Sequence, residues 1–311
     1  CGNETKGEEC DCGYTPTIED LIKHAYCQEC KTKVIEKNNK NLYIALSKLQ
    51  PEVEKYYEAN SSKWRKNAQN ETLKYLKQGL IDRAVTRDLE WGIEIPVDGY
   101  ENKRMYVWID AVLGYITATM KYCDENNLNW EDYWKNNENT LMYMVHGKDN
   151  IIFHSIILPA LLIAMNENMK IPDEIVSCEY LNINDEKISK SKGNGITILD
   201  LAEEYNIDSI RYYFLSNGPE KKDGNFGTDE FKTVHNADLV NKFGNFINRT
   251  LKFKGIDKIE KGTIDEKIKQ KISETYENTS KNIENLEFRK AIEEIMELVE
   301  FGNKYYDESK P

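Results

Sequence analysis

Three lysines fall within six positions at Lys187-Ile188-Ser189-Lys190-Ser191-Lys192, and Gly193-Asn194 closes the run. Ammonium groups and hydroxyls on one loop suit a polyphosphate whose charge grows as a bond breaks, since fixed cations then stabilise the transition state more than the ground state. The plain alternative is a solvated lysine-rich turn. A second concentration is of thiols. Cys1, Cys10, Cys12, Cys27 and Cys30 are five of the seven cysteines. Cys27-x-x-Cys30 has zinc-knuckle spacing, and a tetrahedral site needs a second pair. In a cytoplasmic chain such a cluster points to metal before disulfides, and a metal-free remnant is the other reading. Asp149 follows the apolar run 141–145, where a carboxylate can bond a ribose or an amino group, or serve in a structural ion pair. Asn245 and Arg249 are four residues apart on one helical face. Such side chains can bond the edges of unpaired bases, or simply form a solvated face.

These residues need elements to hold them. Residues 1–40 are polar and short of apolar periodicity, so they need a staple. Residues 41–80 read as a short strand followed by helices. Residues 105–110 are expected to form a buried strand followed by an apolar helix, 141–145 a second strand, and 175–183 a third. The apolar run 151–165 reads as a buried helix. Strands alternating with helices imply a parallel α/β sheet, whose ligands sit at the carboxyl ends of strands, here after Asp110 and Val145. From 198 onward the pattern is helical. Leu239, Val240, Phe243, Phe246, Ile247 and Leu251 share one face, and Asn241, Asn245, Arg249 and Lys252 the other. A final helix is expected over about 281–305. Cys123 and Cys178 read as ordinary buried thiols.

The chain has 311 residues, enough for two or three domains, and 40% hydrophobic residues, enough for packed cores. Its net charge of −12 argues against a protein that coats DNA, though not against a nucleic-acid partner met by a local patch. No signal peptide and no long uncharged apolar stretch opens or interrupts it, so the expectation is a soluble cytoplasmic protein without a membrane partner.

The lysine run resembles the KMSKS signature of class I aminoacyl-tRNA synthetases, with Ile188 in place of methionine. Further segments resemble the methionyl-tRNA synthetase family: Thr86-Arg87-Asp88-Leu89-Glu90-Trp91-Gly92, Val107-Trp108-Ile109-Asp110-Ala111 with Gly114-Tyr115, and Gly147-Lys148-Asp149-Asn150 with Phe153-His154. Glu179-Tyr180-Leu181-Asn182, and Asn150 after Asp149, are similar to the archaeal and eukaryotic branch. Asp208-Ser209-Ile210-Arg211-Tyr212-Tyr213 is a family segment shared in style with other class I synthetases. Together, in order, they cover nearly the whole chain.

The resemblance implies ATP-dependent, Mg²⁺-assisted activation of L-methionine to methionyl-adenylate and transfer to tRNA(Met). It implies Lys190, assisted by Lys187, at the pyrophosphate, with Asp149 and Arg87 also catalytic. Lys187, Ser189, Lys190, Gly147 and Asp149 would bind ATP. Trp108, Ala111, Tyr115 and His154 would line the methionine pocket with Asn150 nearby, since aromatic walls suit a polarisable thioether. Without the resemblance, Trp108 and Tyr115 read as core and His154 as a satisfied core histidine. Asn245 and Arg249 would meet the CAU anticodon, with Asn241 an outside candidate. Zn²⁺ would be held by Cys1, Cys10, Cys12, Cys27 and Cys30.

The implied architecture is α/β followed by all-α. A zinc-knuckle connective domain covers 1–83 and the second half of a Rossmann-type fold 84–183. The lysine-loop domain covers 184–226 and an α-helical anticodon-binding bundle 227–311. There are departures. Val112 replaces the usual proline, which is expected to reshape the methionine pocket. Cys10-Asp11-Cys12 is tighter than a knuckle. No HIGH-type motif is present, so a missing N-terminal segment of the same protein becomes an expected partner and the isolated chain is expected to be inactive. The end at Pro311 comes before the family's anticodon-reading tryptophan. Two rival readings stay open: a truncated, non-catalytic RNA- or partner-binding protein, and a class I synthetase for leucine, isoleucine, valine or cysteine.

Overall fold

The computed structural model describes residues 18–26, 32–33, 38–135, 139–188, 193, 195–252 and 262–309. Contacts divide the chain into two units, one of residues 1–44 and 83–106, the other of 45–82 and 107–311.

In the first unit, α1 spans Ile18–His24, and two short antiparallel pairs carry the rest. β1 (Tyr43–Ile44) pairs with β2 (Arg83–Ala84), and β3 (Thr86–Arg87) with β4 (Arg104–Met105). Two-residue strands make few ladder bonds, so side chains complete them. The fully buried Thr86 hydroxyl accepts from the Leu42 amide at 3.1 Å and donates to Asn41 Oδ1 at 2.9 Å. Lys103, 8% exposed, is neutralised by Asp88 at 2.6 Å.

The second unit opens with α2 (Leu46–Asn60) and α3 (Lys66–Gln78). Ala68, Thr72 and Leu76 recur every four residues and are buried, giving α3 one inward stripe. α4 (Val107–Asn126) buries Ile109, Val112, Ile116 and Cys123, and the short α5 (Glu131–Trp134) follows. The expected strand at 105–110 is therefore a correction. Only Met105 of that run is in a strand, and from Val107 the chain is already helical. A short apolar run has no periodicity that separates a strand from the buried start of a helix.

β5 (Tyr143–Gly147) leads through a 3₁₀ turn, Lys148–Asn150, and a π-helical turn, Phe153–Ile157, into α6 (Leu158–Met165). By length and composition, Lys148–Met165 could cross a membrane, but half of it is buried inside the protein. Ile151, Ile156, Ile157, Leu158 and Leu162 supply that core, and Thr72 of α3 donates to Ser155 at 2.7 Å within it. β6 (Glu174–Cys178) pairs in parallel with β5, Tyr143 opposite Glu174 and Gly147 opposite Cys178.

The expected single strand over 175–183 is two strands of different sheets. After β6 the chain leaves the first sheet, and β7 (Leu181–Ile183) becomes the centre of another. It lies antiparallel to β8 (Glu186–Lys187) and parallel to β9 (Gly224–Phe226). The 223–224 region makes the break, because Asp223 accepts from the Tyr180 amide and the Gly224 amide donates to the Tyr180 carbonyl. The β7–β8 turn has positive φ at Asn184 (50°) and Asp185 (63°), the conformation of a tight hairpin turn that asparagine and aspartate tolerate. α7 (Ile198–Glu204), opened by a Thr197/Asp200 capping box, and α8 (Ile207–Asn217) cover this sheet. Ile183, Leu201, Ile210, Tyr213, Phe226 and Phe231 form its core. The helical pattern expected from 198 onward is thus interrupted by β9.

α9 (Thr228–Val234) runs through a π-helical stretch, His235–Gly244, into α10 (Asn245–Leu251). The wider π turn changes the 100° register on which the apolar face of 239–251 was drawn, and Val240, Phe243, Ile247 and Leu251 are all exposed among the described residues. α11 (Glu266–Glu284) and α12 (Phe288–Ser309) form a hairpin. The helix expected over 281–305 is broken at Asn285–Glu287, where Leu286 takes φ 59°.

Arg65 ties three of these parts together. Its Nη1 donates to the Glu220 carbonyl at 2.8 Å and its Nη2 to the Leu286 carbonyl at 3.1 Å. Cys178 Sγ lies 3.6 Å from Nη1 and the Glu220 carboxylate 4.0 Å from Nη2.

Candidate functional site

The carboxyl end of β5 gathers side chains of several elements. Trp108, Ala111 and Tyr115 lie on the exposed face of α4, opposite its buried stripe. Trp108 and Tyr115 are 42% and 43% exposed, so simple core packing does not describe them. The π turn after β5 swings its side chains out of ordinary helical register. It stacks Phe153 on Trp108, with centroids 4.9 Å apart and planes 25° apart, and brings His154 to Tyr115. Val112 is buried in the inward stripe of α4.

His154 is 5% exposed and fully partnered. Its Nδ1 lies 2.8 Å from the Asn150 carbonyl, which can only accept, so Nδ1 carries the proton. Nε2 is then the acceptor for the Tyr115 hydroxyl at 2.9 Å. His146, the fourth residue of β5, stacks on the His154 ring at 4.3 Å and 19°. Its Nδ1 donates to the Gly147 carbonyl at 2.9 Å, and its buried Nε2 has no partner. Burial lowers both imidazole pKa values, that of His146 to about 4, with the neighbouring His154 adding to the effect. Two neutral rings back the Trp108–Tyr115 face.

Beside them lies a charged corner. Gly147 ends β5 with open space where a Cβ would stand. Asp149 accepts a short hydrogen bond from the Tyr180 hydroxyl, and this bond, ahead of burial, raises the phenol pKa to about 12. Lys148 Nζ contacts Glu179 at 2.7 Å and Asp223 at 2.9 Å. Burial pulls the Lys148 pKa down, but those two carboxylates outweigh it and the net shift is upward. Glu179 is aimed by Asn67 of α3, whose Nδ2 donates to its other oxygen at 2.9 Å. The Tyr180 ring lies under two ammonium groups, Lys148 at 3.9 Å and Lys187 at 5.0 Å from its centre. Lys187 is the last residue of β8, opposite Asn182. Ser189 and Lys190 lie outside the described residues.

Arg87 belongs to the first unit. Its guanidinium donates to the Ala84 and Thr86 carbonyls at 3.0 and 3.1 Å and lies 4.1 Å from the centre of the Tyr106 ring. Cys1, Cys10, Cys12, Cys27 and Cys30 lie outside the described residues. Among the described residues no three of His, Cys, Asp or Glu are grouped to hold a metal ion.

On α10, Asn245 and Arg249 both turn toward α12. Asn245 donates to Asn303 Oδ1 at 3.4 Å, and Arg249 forms a close ion pair with Asp307 while lying 4.5 Å from the centre of the Tyr306 ring. Asn303 and Asp307 are themselves four apart, so two helical ladders face each other. Gly302 permits the approach, because a Cβ there would stand 2.7 Å from the Phe246 ring. Asn241 is exposed.

Sequence reasoning missed Tyr180, Lys148, His146 and Phe153 as site residues. All four sit inside or beside quoted family segments, but the contacts that join them cross three elements and leave no mark in the spacing.

The family model described as tRNA synthetases class I (M) matches residues 1–251. Methionine–tRNA ligase 1 of Alkaliphilus oremlandii is 43% identical over 316 residues, covering 100% of this chain and 58% of that protein. The methionine–tRNA ligase of Bacillus mycoides is 42% identical over 319 residues, with the same coverage, 100% and 58%. The chain thus spans less than two thirds of the relatives it matches. Among solved structures, the Mycobacterium tuberculosis methionyl-tRNA synthetase bound by methionyl-adenylate matches with a TM-score of 0.76 at 25% identity, over 92% of this chain and 56% of that one.

Proposed function

Because this chain belongs to the class I methionyl-tRNA synthetase family, we propose that it serves ATP-dependent activation of L-methionine to methionyl-adenylate and transfer of the methionyl group to tRNA(Met). The observation that carries the reading is the meeting, at the end of β5, of an exposed aromatic face with a charged corner. The face is Trp108–Tyr115 backed by neutral His154, and the corner is Asp149, Tyr180 and Lys187. A polarisable apolar side chain suits the face and a nucleotide suits the corner.

In this reading Trp108, Ala111, Tyr115, Asn150 and His154 bind methionine. Gly147, Asp149, Lys187, Ser189 and Lys190 bind ATP, which brings Mg²⁺ as counter-ion to its phosphates. The methionine carboxylate attacks the α-phosphorus and pyrophosphate leaves, with Lys190 and Lys187 stabilising the charge that develops on it. A ribose hydroxyl at the tRNA end then attacks the carbonyl and AMP leaves. No protein nucleophile is needed; orientation and fixed charge do the catalysis. Arg87 is assigned a catalytic part on its family segment alone.

The finer architecture is part of the same proposal: a connective domain over 1–83, the second half of a Rossmann-type fold over 84–183, a lysine-loop domain over 184–226 and an anticodon bundle over 227–311. Two features support the Rossmann half. β5 and β6 are parallel, and Leu141, Tyr143 and Val145 present an exposed alternating apolar row of the kind parallel sheets normally cover. A HIGH-bearing segment of the same protein is the proposed cover. Zn²⁺ at the cysteine cluster is supported by the thiolate chemistry and the Cys27-x-x-Cys30 spacing. Asn245 and Arg249 are proposed to read the anticodon, and the cytoplasm is the proposed site of action.

The test is ATP–pyrophosphate exchange by the full gene product over a panel of amino acids. Exchange should depend on methionine. No exchange, or exchange driven by leucine, isoleucine, valine or cysteine instead, overturns the reading.

A further inference from the structure

Tyr180 occupies an unusual place. It belongs to the two-residue link, Glu179–Tyr180, between β6 of the parallel sheet and β7 of the sheet that carries Lys187. Its backbone is pinned on the β9 side, the amide donating to Asp223 at 3.0 Å and the carbonyl accepting from the Gly224 amide at 2.8 Å. Its side chain reaches back to the 3₁₀ turn after β5, where the hydroxyl donates to Asp149 and the ring lies 3.9 Å from Lys148 Nζ. The same ring lies 5.0 Å from Lys187 Nζ. One half-buried side chain thus touches the turn that leaves the parallel sheet and a strand of the second sheet.

We propose that Tyr180 is a positioning residue for adenylate formation: its hydroxyl aims the Asp149 carboxylate, and its ring face holds the Lys148 and Lys187 ammonium groups at the nucleotide corner. This rests on the reading of Asp149 and Lys187 given above. The phenol occupies one carboxylate oxygen and so directs the other. A carboxylate on a 3₁₀ turn and a lysine at the rim of a loop would otherwise sample many orientations, and a group held in one orientation loses less entropy when the transition state forms. The electron-rich ring face attracts cations without neutralising them, so it can place the Lys187 ammonium group without competing with phosphate for its charge. Lys148 needs the ring for placement only, because Glu179 and Asp223 already balance its charge. The upward shift of the Tyr180 phenol to about 12 means that it stays a donor to Asp149 throughout the working pH range.

The two functions of the side chain can be separated. Tyr180→Phe removes the Asp149 bond and keeps the ring, whereas Tyr180→Leu removes both. The assay is methionine-dependent ATP–pyrophosphate exchange by the full-length protein, reading kcat and the KM for each substrate. Tyr180→Phe is expected to lower kcat about tenfold, the factor worth one hydrogen bond, because Asp149 then loses its fixed orientation, with KM for ATP within about twofold. Tyr180→Leu should show the same fall in kcat and raise KM for ATP by a further factor of about five to ten. Neither should change KM for methionine by more than about twofold, whereas general loosening of the fold would raise it.

A kcat for Tyr180→Phe equal to the parent's overturns the proposal, as does a Leu variant indistinguishable from the Phe variant. Asp149→Asn and Lys187→Ala are the controls. If both leave exchange intact, the assignment of the nucleotide corner fails and the Tyr180 proposal falls with it. If both depress exchange while Tyr180→Phe does not, only the Tyr180 proposal fails.

Discussion

Replacing Arg65 by methionine should loosen the join between β6 and the α11–α12 turn. The Arg65 side chain is 11% exposed and the Glu220 side chain 12%. Removing the guanidinium leaves the carbonyls of Glu220 and Leu286 without their donor, and the Glu220 carboxylate without its cation. Breaking a buried pair from one side costs about 3–5 kcal/mol. The 4.0 Å separation is loose for an ion pair, and Glu220 keeps a bond from the Arg289 amide at 3.0 Å. The lower end, about 3 kcal/mol, is therefore expected. Methionine retains most of the apolar stem, so cavity formation adds little. Arg65→Lys should recover little, because a single ammonium cannot reach partners on three elements as the planar fork does. The double variant Arg65→Met/Glu220→Gln should recover about 1 kcal/mol of the loss, since no unpaired carboxylate remains. Urea unfolding should show the single variant's midpoint lowered by about 1 M or more, for a slope of about 1–3 kcal/mol per molar. Hydrogen exchange should speed up first at the 285–289 amides. A loss below about 1 kcal/mol, or full rescue by lysine, would refute the view of Arg65 as a buried latch.

The stacked histidines predict an acid-sensitive fold. Both have folded pKa values below 6.5, so the fold favours their neutral forms; that stability is complete above pH 6.5 and is lost as pH falls toward 4. Urea midpoints should drop across this window in the parent and less steeply in His146→Phe, and equal slopes would contradict the assignment. Tyr115→Phe removes the donor to His154 Nε2 and should cost about 1 kcal/mol in unfolding while raising KM for methionine several-fold; an unchanged KM would place the tyrosine outside the pocket. Asp307→Ala frees Arg249 from its intramolecular partner and should tighten binding of a CAU stem–loop, whereas Arg249→Ala should weaken it. Fluorescence anisotropy measures both, and a weaker complex from Asp307→Ala would mean that the ion pair shapes the binding face rather than masking it.

Much of the scaffold was legible in the chain, for identifiable reasons. The run 141–145 is apolar and 175–183 opens on β-branched Ile175 and Val176, and the strands that form there, Tyr143–Gly147 and Glu174–Cys178, are a parallel pair. The run 151–165 is long and apolar enough for a helix, and half of Lys148–Met165 is buried inside the protein, although its π turn left no pattern to read. The stretch 105–110 was misread because its few apolar residues fit a strand and a helix start equally well. The single strand expected over 175–183 is broken by Asp223 and Gly224, more than 40 residues away, which no local window can register. Leu286 breaks the last helix through a positive φ that a leucine gives no reason to expect.

The site divides along the same line. The kinds of chemistry were written in residue types and spacing: a cationic loop, a thiol cluster, aromatic residues at helical intervals and an asparagine–arginine pair four apart. Those depend only on what each side chain is and how far along the chain its neighbour stands. Which groups meet is a different matter. That the Tyr115 hydroxyl meets His154 Nε2, that Tyr180 links Asp149 to Lys187, and that Arg249 is met by Asp307 depend on distances between elements. Those distances are set by packing, which sums many weak contacts over the whole unit and has no address at any one position in the sequence.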